Sequence, residues 1–171
     1  MKKNLEKRAN ETLDKIRALT RHIKNVEENC ILLGEKLILN GEIDLGRQLI
    51  ANGFGHDLSK FRGIEWQELT VRGVNDDESS KLKLRMAIEQ HNSTNSHHPE
   101  FWGGINKMPL IFLLELLCDW KARSEEFGTA LIDYINGAAM KRFKFDKNDE
   151  VYKILIKYMD LLCEKQFEII K

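Results

Sequence analysis

The chain has 171 residues, with 27 basic and 27 acidic side chains, so its formal net charge at neutral pH is zero. This length suits one domain with a full hydrophobic core, and we expect a single domain over residues 1–171. The missing basic excess argues against nucleic-acid binding as the main role, because such proteins use surplus cations to displace counterions from phosphates.

The cysteines and the N-terminal segment indicate a cytoplasmic protein. Residues 1–21 are too highly charged for a signal peptide. The longest apolar run, residues 110–118, is interrupted by Glu115 and is far shorter than the roughly 20 residues that cross a bilayer. The three cysteines lie in apolar helical segments without a CxxC pair, which favours buried, reduced thiols: Cys30, Cys118 and Cys163.

Helical periodicity dominates the first half of the chain. Apolar residues recur every three or four positions along a first helix: Ile16, Leu19, Ile23, Val26, Cys30, Leu33 and Leu37. Asn40 and Gly41 are predicted to end that helix. His22 lies one residue off the stripe, at the edge of the buried face. A second helix is predicted over residues 43–52, ending at Gly53, and a short one over 62–72.

The second half is predicted to be helical as well. A helix from about Ser80 leads to His91, and small polar residues then favour a loop up to Pro99, which disfavours helical angles at the residue before it. Pro109 suits the first turn of a helix whose body, residues 110–120, is apolar nearly all round and therefore buried.

Two further helices complete the predicted fold. Gly128 and Gly137 are predicted to bound a short helix, and residues 148–150 to begin a last amphipathic one with acidic side chains at the positive end of its dipole. The sequence shows no repeat or linker. We therefore predict an all-α fold of about six or seven helices.

The stretch HDLSK, residues 56–60, offers the first candidate chemistry. His56 and Asp57 present an imidazole nitrogen and a carboxylate oxygen from one short piece of backbone, and both are good ligands for a divalent ion. Gly53 and Gly55 precede the doublet and let the backbone bend sharply. Lys60 is a mobile cation that could meet an anionic substrate beside a metal.

The other histidines and one aspartate extend this set. Three histidines within eight positions are hard to explain by packing alone: His91, His97 and His98. Asp119 follows a strongly apolar run, where an unpaired carboxylate costs several kcal/mol, so it should be paired or bind a metal. Glu115 lies one helical turn earlier on the same face and could accept a hydrogen bond from a ligand histidine.

Each of these residues also has a purely structural interpretation. His56 and Asp57 could cap a helix, His22 could be an ordinary histidine at the edge of the stripe, and Lys60 could be an exposed lysine. Asp119 could pair with Arg123, four residues on. The histidines of residues 91–98 could lie on the surface or behind other ligands.

The order His22, then His56 and Asp57, then Asp119 resembles the metal signature of the HD-domain superfamily of metal-dependent phosphohydrolases. HDLSK is similar to the HD-x-x-K form of the cyclic-dinucleotide phosphodiesterase branch, whose Gly-Tyr-Pro motif is absent here. HNSTNSHHPEFW and LLCDWKARS resemble, more closely, a small family of HD-like proteins of unknown function from bacteria and phages. The resemblance covers residues from about 20 to 125.

This resemblance implies an HD-like helical bundle around one or two divalent ions. His22, His56, Asp57 and Asp119 would hold the first ion. A second would lie among the extra histidines, His91, His97 and His98. Because His91 and His97 are closer together than the extra histidines of two-metal members, the metal count stays open. A mixed imidazole and carboxylate shell suits Mn, Fe, Co, Ni or Zn.

The activity it implies is metal-dependent hydrolysis of a nucleotide-like phosphate mono- or diester by activated water. Lys60 and one histidine among His91, His97 and His98 would stabilise the phosphoryl charge and protonate the leaving oxygen. Two other classes stay open: a diiron oxygenase of HD type, and a non-catalytic module that binds metal or ligand. The expected partner is a small phosphorylated molecule, and the sequence does not exclude a homodimer.

Overall fold

The structure is a computed structural model that describes residues 2–71 and 77–164. These residues contain no strand, which confirms the all-α prediction. The α-helical segments are α1 (Lys2–Leu39), α2 (Ile43–Gly55), α3 (Gly63–Glu65), α4 (Glu78–Thr94), α5 (Leu110–Phe127), α6 (Leu131–Tyr134), α7 (Met140–Phe143) and α8 (Glu150–Cys163). None of them combines the length and apolar character that a membrane crossing requires.

Shorter helical turns connect these segments. A π-helix over Trp66–Val71 continues α3, and another over Ile135–Ala139 joins α6 to α7. Counted as continuous pieces, the described residues therefore form seven helices. Three single 3₁₀ turns lie in the links of the described chain. One precedes α3 (Leu58–Phe61), and the other two lie between α4 and α5 (Pro99–Trp102 and Ile105–Lys107).

Helix α5 lies at the centre of the fold, in contact with α1, α2, α6 and α8. Its side chains are buried on several faces rather than along one stripe, as its apolar sequence predicts: Leu113, Leu114, Leu116, Leu117, Cys118, Trp120 and Ala122. Glu115 is also buried in this helix, with 4% of its surface exposed. A carboxylate at such a position needs polar partners.

Helices α1 and α2 approach closely because glycines line their contact. A Cβ added at Gly46 would lie 2.4 Å from the backbone oxygen of Gly34, and one added at Gly53 would lie 2.7 Å from Cβ of Cys30. Gly46 and Gly53 are two turns apart on α2, so both face α1. This close approach brings the C-terminal end of α2, which carries His56, against the helix that carries His22.

Several boundaries differ from the sequence predictions. Helix α2 continues past Gly53 to Gly55, since Gly53 serves close packing and not helix termination. Helix α4 begins earlier, with Asp77 accepting a hydrogen bond from the backbone N–H of Ser80 at 2.9 Å. It also continues to Thr94, whose hydroxyl donates to the backbone oxygen of Gln90 at 2.7 Å. His91 therefore lies on a helix and not in the following loop.

Three further expectations are corrected or fall partly outside the described residues. Gly137 does not end a helix but lies inside the π-helical stretch. Cys30 and Cys118 are buried as predicted, whereas Cys163 is exposed because it ends α8, so that prediction was wrong. The short helix predicted over 62–72 is present as residues 63–71, and residue 72 is outside the described part of the chain.

Candidate metal centre

The turn after α2 gives the site its shape. His56 is the C-terminal cap of α2, and Asp57 adopts left-handed backbone angles with φ +57°. Besides Gly, Asp is one of the few residues that adopt this conformation with some frequency. Backbone strain of this kind clusters at functional sites. Both residues are at most 2% exposed, so their polar atoms are directed into the protein.

A first group of donor atoms, pocket A, forms where α1, the turn and α5 meet. Nε2 of His22 lies 3.1 Å from Oδ1 of Asp119 and 3.8 Å from Oδ2 of Asp57. Nε2 of His56 lies 3.6 Å from the same Asp57 oxygen. The donor atoms of His22, His56 and Asp119 all lie within 4.8 Å of one another, which suits one shared ion.

A second group, pocket B, lies on the other side of Asp57. Nε2 of His91 is 3.2 Å and Nε2 of His97 is 3.4 Å from Oδ1 of Asp57. His98 completes the group, whose donor atoms lie within 4.8 Å of one another. Asp57 thus directs Oδ2 to pocket A and Oδ1 to pocket B, the position of a carboxylate that bridges two ions.

Seven buried polar atoms of this cluster have no hydrogen-bond partner: Nε2 of His22, His56, His91, His97 and His98, and Oδ1 of Asp57 and Asp119. Some lie within ion-pair distance of one another, but none of the seven has hydrogen-bond geometry. Buried polar atoms are nearly always satisfied, because an orphaned one costs free energy. Imidazole and carboxylate donors converging in this way fit divalent transition metals.

Carboxylates support the histidines from behind. Nδ1 of His22 lies 3.0 Å from Oε1 of Glu126, and Nδ1 of His91 lies 2.8 Å from Oε2 of Glu65. Nδ1 of His56 lies 3.1 Å from Oε1 of Glu115. A carboxylate in this position selects the tautomer with hydrogen on Nδ1, so Nε2 is left with a lone pair that faces the cluster.

The sequence anticipated only one of these supporting acids. Glu115 contacts a histidine as predicted, whereas Glu65 and Glu126 were missed. Glu126 follows Asp119 by seven residues and so shares its face of α5, a helical spacing that the sequence does show. Nη1 of Arg123 lies 3.1 Å from Oε2 of Glu126. Arg123 therefore forms its ion pair with Glu126, whereas the purely structural interpretation of Asp119 expected an ion pair between Arg123 and Asp119.

The electrostatics of the cluster keep its two aspartates ionised. Burial raises the pKa of Asp57, but its polar interactions with the adjacent His91 and His97 rings outweigh burial and hold that pKa well below its ordinary value. For Asp119, burial is likewise outweighed, chiefly by the adjacent His22 imidazole, and the pKa is lowered. Burial opposes charge on His56, yet Glu115 and the neighbouring carboxylates raise its pKa.

His98 behaves in the opposite way. Burial, followed by the nearby His97 and His91, lowers the pKa of His98 to about 3. His98 is therefore neutral at physiological pH, the form in which imidazole binds a metal. The structure thus places all three residues of the candidate second site, His91, His97 and His98, with Nε2 facing one location.

A cavity of about 440 Å³ opens beside pocket B. Lys60 lines the cavity, and its Nζ donates at 2.5 Å to Oδ2 of Asp57, the oxygen directed to pocket A. Among the described residues, four cationic side chains and no acidic one line the space, together with aliphatic and polar side chains: Lys15, Lys60, Arg123, Arg142, Ala18, Leu19, Leu69, Ile88, Thr70, His91, Asn92 and His98. An anionic small molecule matches this lining.

No match to the chain was found among curated proteins or among solved structures. One family model does match, that of a family of unknown function (DUF5662), over residues 11–161. The matched stretch contains both pockets, the three supporting carboxylates and every residue that lines the cavity. The chain therefore belongs to DUF5662, a family of unknown function.

Proposed function

We propose that the chain is a metal-dependent phosphohydrolase related to the HD-domain superfamily, acting on a small phosphate mono- or diester with a nucleotide-like body. The observation that carries the proposal is the bridging position of Asp57 between two sets of orphaned donors, beside a cavity lined by cations. The order of these residues along the chain also resembles the HD signature.

The donor sets assign the residues that would hold metal. His22, His56 and Asp119 form one set, and the second set is His91, His97 and His98, with Asp57 shared. When bound, the ions would lower the pKa of coordinated water towards about 7 and polarise a phosphoryl oxygen. Cavities of this size, with few convergent polar groups, suit small-molecule substrates.

Lys60 has the position required of a catalytic cation. Its ammonium contacts Asp57 and faces the cavity, with 15% of its side chain exposed. There it can stabilise charge on a transferring phosphoryl group and donate a proton to the leaving oxygen. His98 is neutral at the pH of interest, so we assign it to metal binding and not to proton donation.

The cationic lining favours an anion over a neutral substrate. Arg123 and Arg142 are held in place by Glu126 and Glu100, at 3.1 Å and 3.0 Å. Each guanidinium has five N–H donors, so a single ion pair leaves others directed elsewhere. Aliphatic side chains between these cations supply the apolar surface for the body of an ester.

The test combines metal analysis with a panel of phosphate mono- and diesters in the presence of Mn²⁺. We expect hydrolysis, seen as phosphate release from a monoester or as a monoester and an alcohol from a diester. We expect Lys60→Gln to lower kcat/KM by about 10²-fold, because it removes a cation that stabilises phosphoryl charge. Metal content should be unchanged, because Lys60 belongs to neither donor set. Lys83→Gln is the matched control, because Lys83 is exposed on α4 and does not line the cavity.

A second candidate is a diiron oxygenase, favoured by the three imidazoles of pocket B, which suit iron. Bound iron with oxygen consumption and no hydrolysis of any ester in the panel would select it. A metal-loaded protein with neither activity would overturn both enzymatic proposals. A binding module would then stand, in which Asp57 substitution lowers the melting temperature without affecting turnover.

A further inference from the structure

We propose that Glu115 couples the two metal pockets, because one of its oxygens supports a histidine from each. It acts through those histidines and is a positioning residue. The inference concerns metal binding alone, so it does not depend on which reaction the chain catalyses. Its consequence is that an ion in one pocket raises the affinity of the other pocket.

The geometry rests on a single carboxylate oxygen. Oε1 of Glu115 lies 3.1 Å from Nδ1 of His56, in pocket A, and 3.4 Å from Nδ1 of His97, in pocket B. The two imidazole rings are adjacent, with centroids 4.2 Å apart. Both rings therefore turn Nδ1 towards the same acid, and their Nε2 atoms face the donor cluster.

The other oxygen of Glu115 is also occupied. Oε2 accepts a hydrogen bond from Nδ2 of Asn52 at 3.0 Å. Glu115 itself is 4% exposed, between the buried Leu114 and Leu116 on the central helix. A carboxylate held at both oxygens in a packed core cannot relax for one histidine without displacing the other.

His56, His97 and Glu115 also form a group whose donor atoms lie within 4.8 Å. The histidine atoms nearest this acid are the Nδ1 nitrogens, which already contact the acid directly. We therefore assign the group to histidine support and not to a third ion. Binding of a metal at Nε2 fixes an imidazole, and through Oε1 it orders the neighbouring ring as well.

The remaining supporting acids provide the contrast within the same protein. Glu126 contacts His22 of pocket A, and Glu65 contacts His91 of pocket B. Neither contact reaches a histidine of the opposite pocket. Each of the three glutamates can be changed to glutamine with the same loss of charge, so they form a matched set.

The experiment is a titration of the metal-free chain with Zn²⁺ by calorimetry, with bound zinc counted after dialysis. We expect two ions per wild-type chain, bound with positive coupling. Glu115→Gln should lower the affinity for each ion by about 10- to 100-fold and reduce the coupling to the part that the shared Asp57 carries. Glu126→Gln and Glu65→Gln should each lower the affinity for one ion and leave the affinity for the other within about twofold of wild type.

Circular dichroism establishes that each variant is folded. If Glu115→Gln does not fold, Asn52→Ala replaces it. Loss of the hydrogen bond to Oε2 of Glu115 should lower the affinity for both ions by the same factor, which should be smaller than the factor expected for Glu115→Gln. The proposal is overturned if Glu115→Gln lowers the affinity for one ion only or for neither ion. It is also overturned if the wild-type chain binds a single ion, or binds two ions independently of each other.

Discussion

Pockets A and B share Asp57 but are built from different kinds of structure. The donors of pocket A come from α1, α5 and the turn after α2, and those three helices pack directly against one another. The donors of pocket B come from the last turn of α4 and the stretch that follows it, up to residue 98. The hydrophobic core therefore fixes pocket A, whereas local polar contacts fix pocket B.

The supports of pocket B illustrate this difference. Nε1 of Trp102 donates to the backbone oxygen of Ser96 at 2.7 Å and holds the stretch that carries His97. Helix α4 leaves much apolar surface in solvent, with Leu82 and Met86 each about half exposed. Regions with fewer buried apolar contacts open at a lower free energy, so pocket B should be the more mobile half.

The largest effect should come from changing Asp57, whose carboxylate both pockets share. Asp57→Asn keeps a side chain that tolerates left-handed backbone but removes the bridging charge. We expect loss of both ions and at least about a hundredfold fall in kcat/KM, beyond the range for supporting residues. Metal content and activity are measured beside Asp133→Asn, an exposed control on α6. Retention of one ion would show that the pockets do not share Asp57.

The second prediction concerns the helix contact beneath pocket A. Gly46→Ala places a Cβ 2.4 Å from a backbone oxygen that cannot move aside, so α1 and α2 must separate. We expect a loss of about 1–3 kcal/mol in the free energy of unfolding, typical of overpacking. Denaturant unfolding measures it, with Gly137→Ala as the control, since that Cβ meets nothing within 4 Å. Equal stability of the two variants would contradict the packing argument.

The third prediction affects pocket B alone. Trp102→Phe removes the indole N–H that holds the backbone at Ser96, a hydrogen bond worth about 1 kcal/mol. We expect the affinity for one ion to fall by about tenfold or less, while the other ion binds as in wild type. Zinc calorimetry measures both. A loss shared equally by the two ions would mean that the packing of pocket A also depends on Trp102.

The smallest effect is a change in the acid stability of the metal-free protein. The pKa of His98 is about 3 in the folded chain, against an ordinary value of 6.5. The unfolded chain therefore binds the extra proton between these values, and stability contributed by neutral His98 is lost as pH falls from about 6.5 towards 3. Between pH 7 and 5, the free energy of unfolding of His98→Gln should fall less than that of wild type. The difference should be a fraction of the ~1.4 kcal/mol per pH unit that the uptake of one full proton contributes. Denaturant midpoints in chelator at both pH values measure this difference, and identical slopes would contradict it.

The sequence predicted the framework of pocket A because each of its donors is tied to a helical pattern. His22 lies beside an apolar stripe, and Asp119 ends an apolar run, so their faces follow from the period of the helix. The structure brings these side chains to His56 and Asp57 as the sequence predicts.

Pocket B was harder to predict for a physical reason. His91 and His97 differ by six positions, which is closer than the extra histidines of two-metal members, so the sequence leaves the metal count open. The sequence also does not show where the helix ends. In the structure His91 stays on α4, and the chain turns after Asn95, whose backbone oxygen accepts a hydrogen bond from the N–H of His98 at 3.0 Å. Glu65 was missed because α3 is too short to show any periodicity.

The left-handed backbone at Asp57 limits how this centre can be redesigned for other metals. Most side chains are strained by roughly 1–2 kcal/mol in that conformation, so a cysteine, histidine or glutamate there carries a backbone cost before any ligand geometry is considered. Asp119 lies on regular α-helix, where a new donor meets no such cost. Attempts to change metal preference should therefore begin on α5 and leave the turn after α2 untouched.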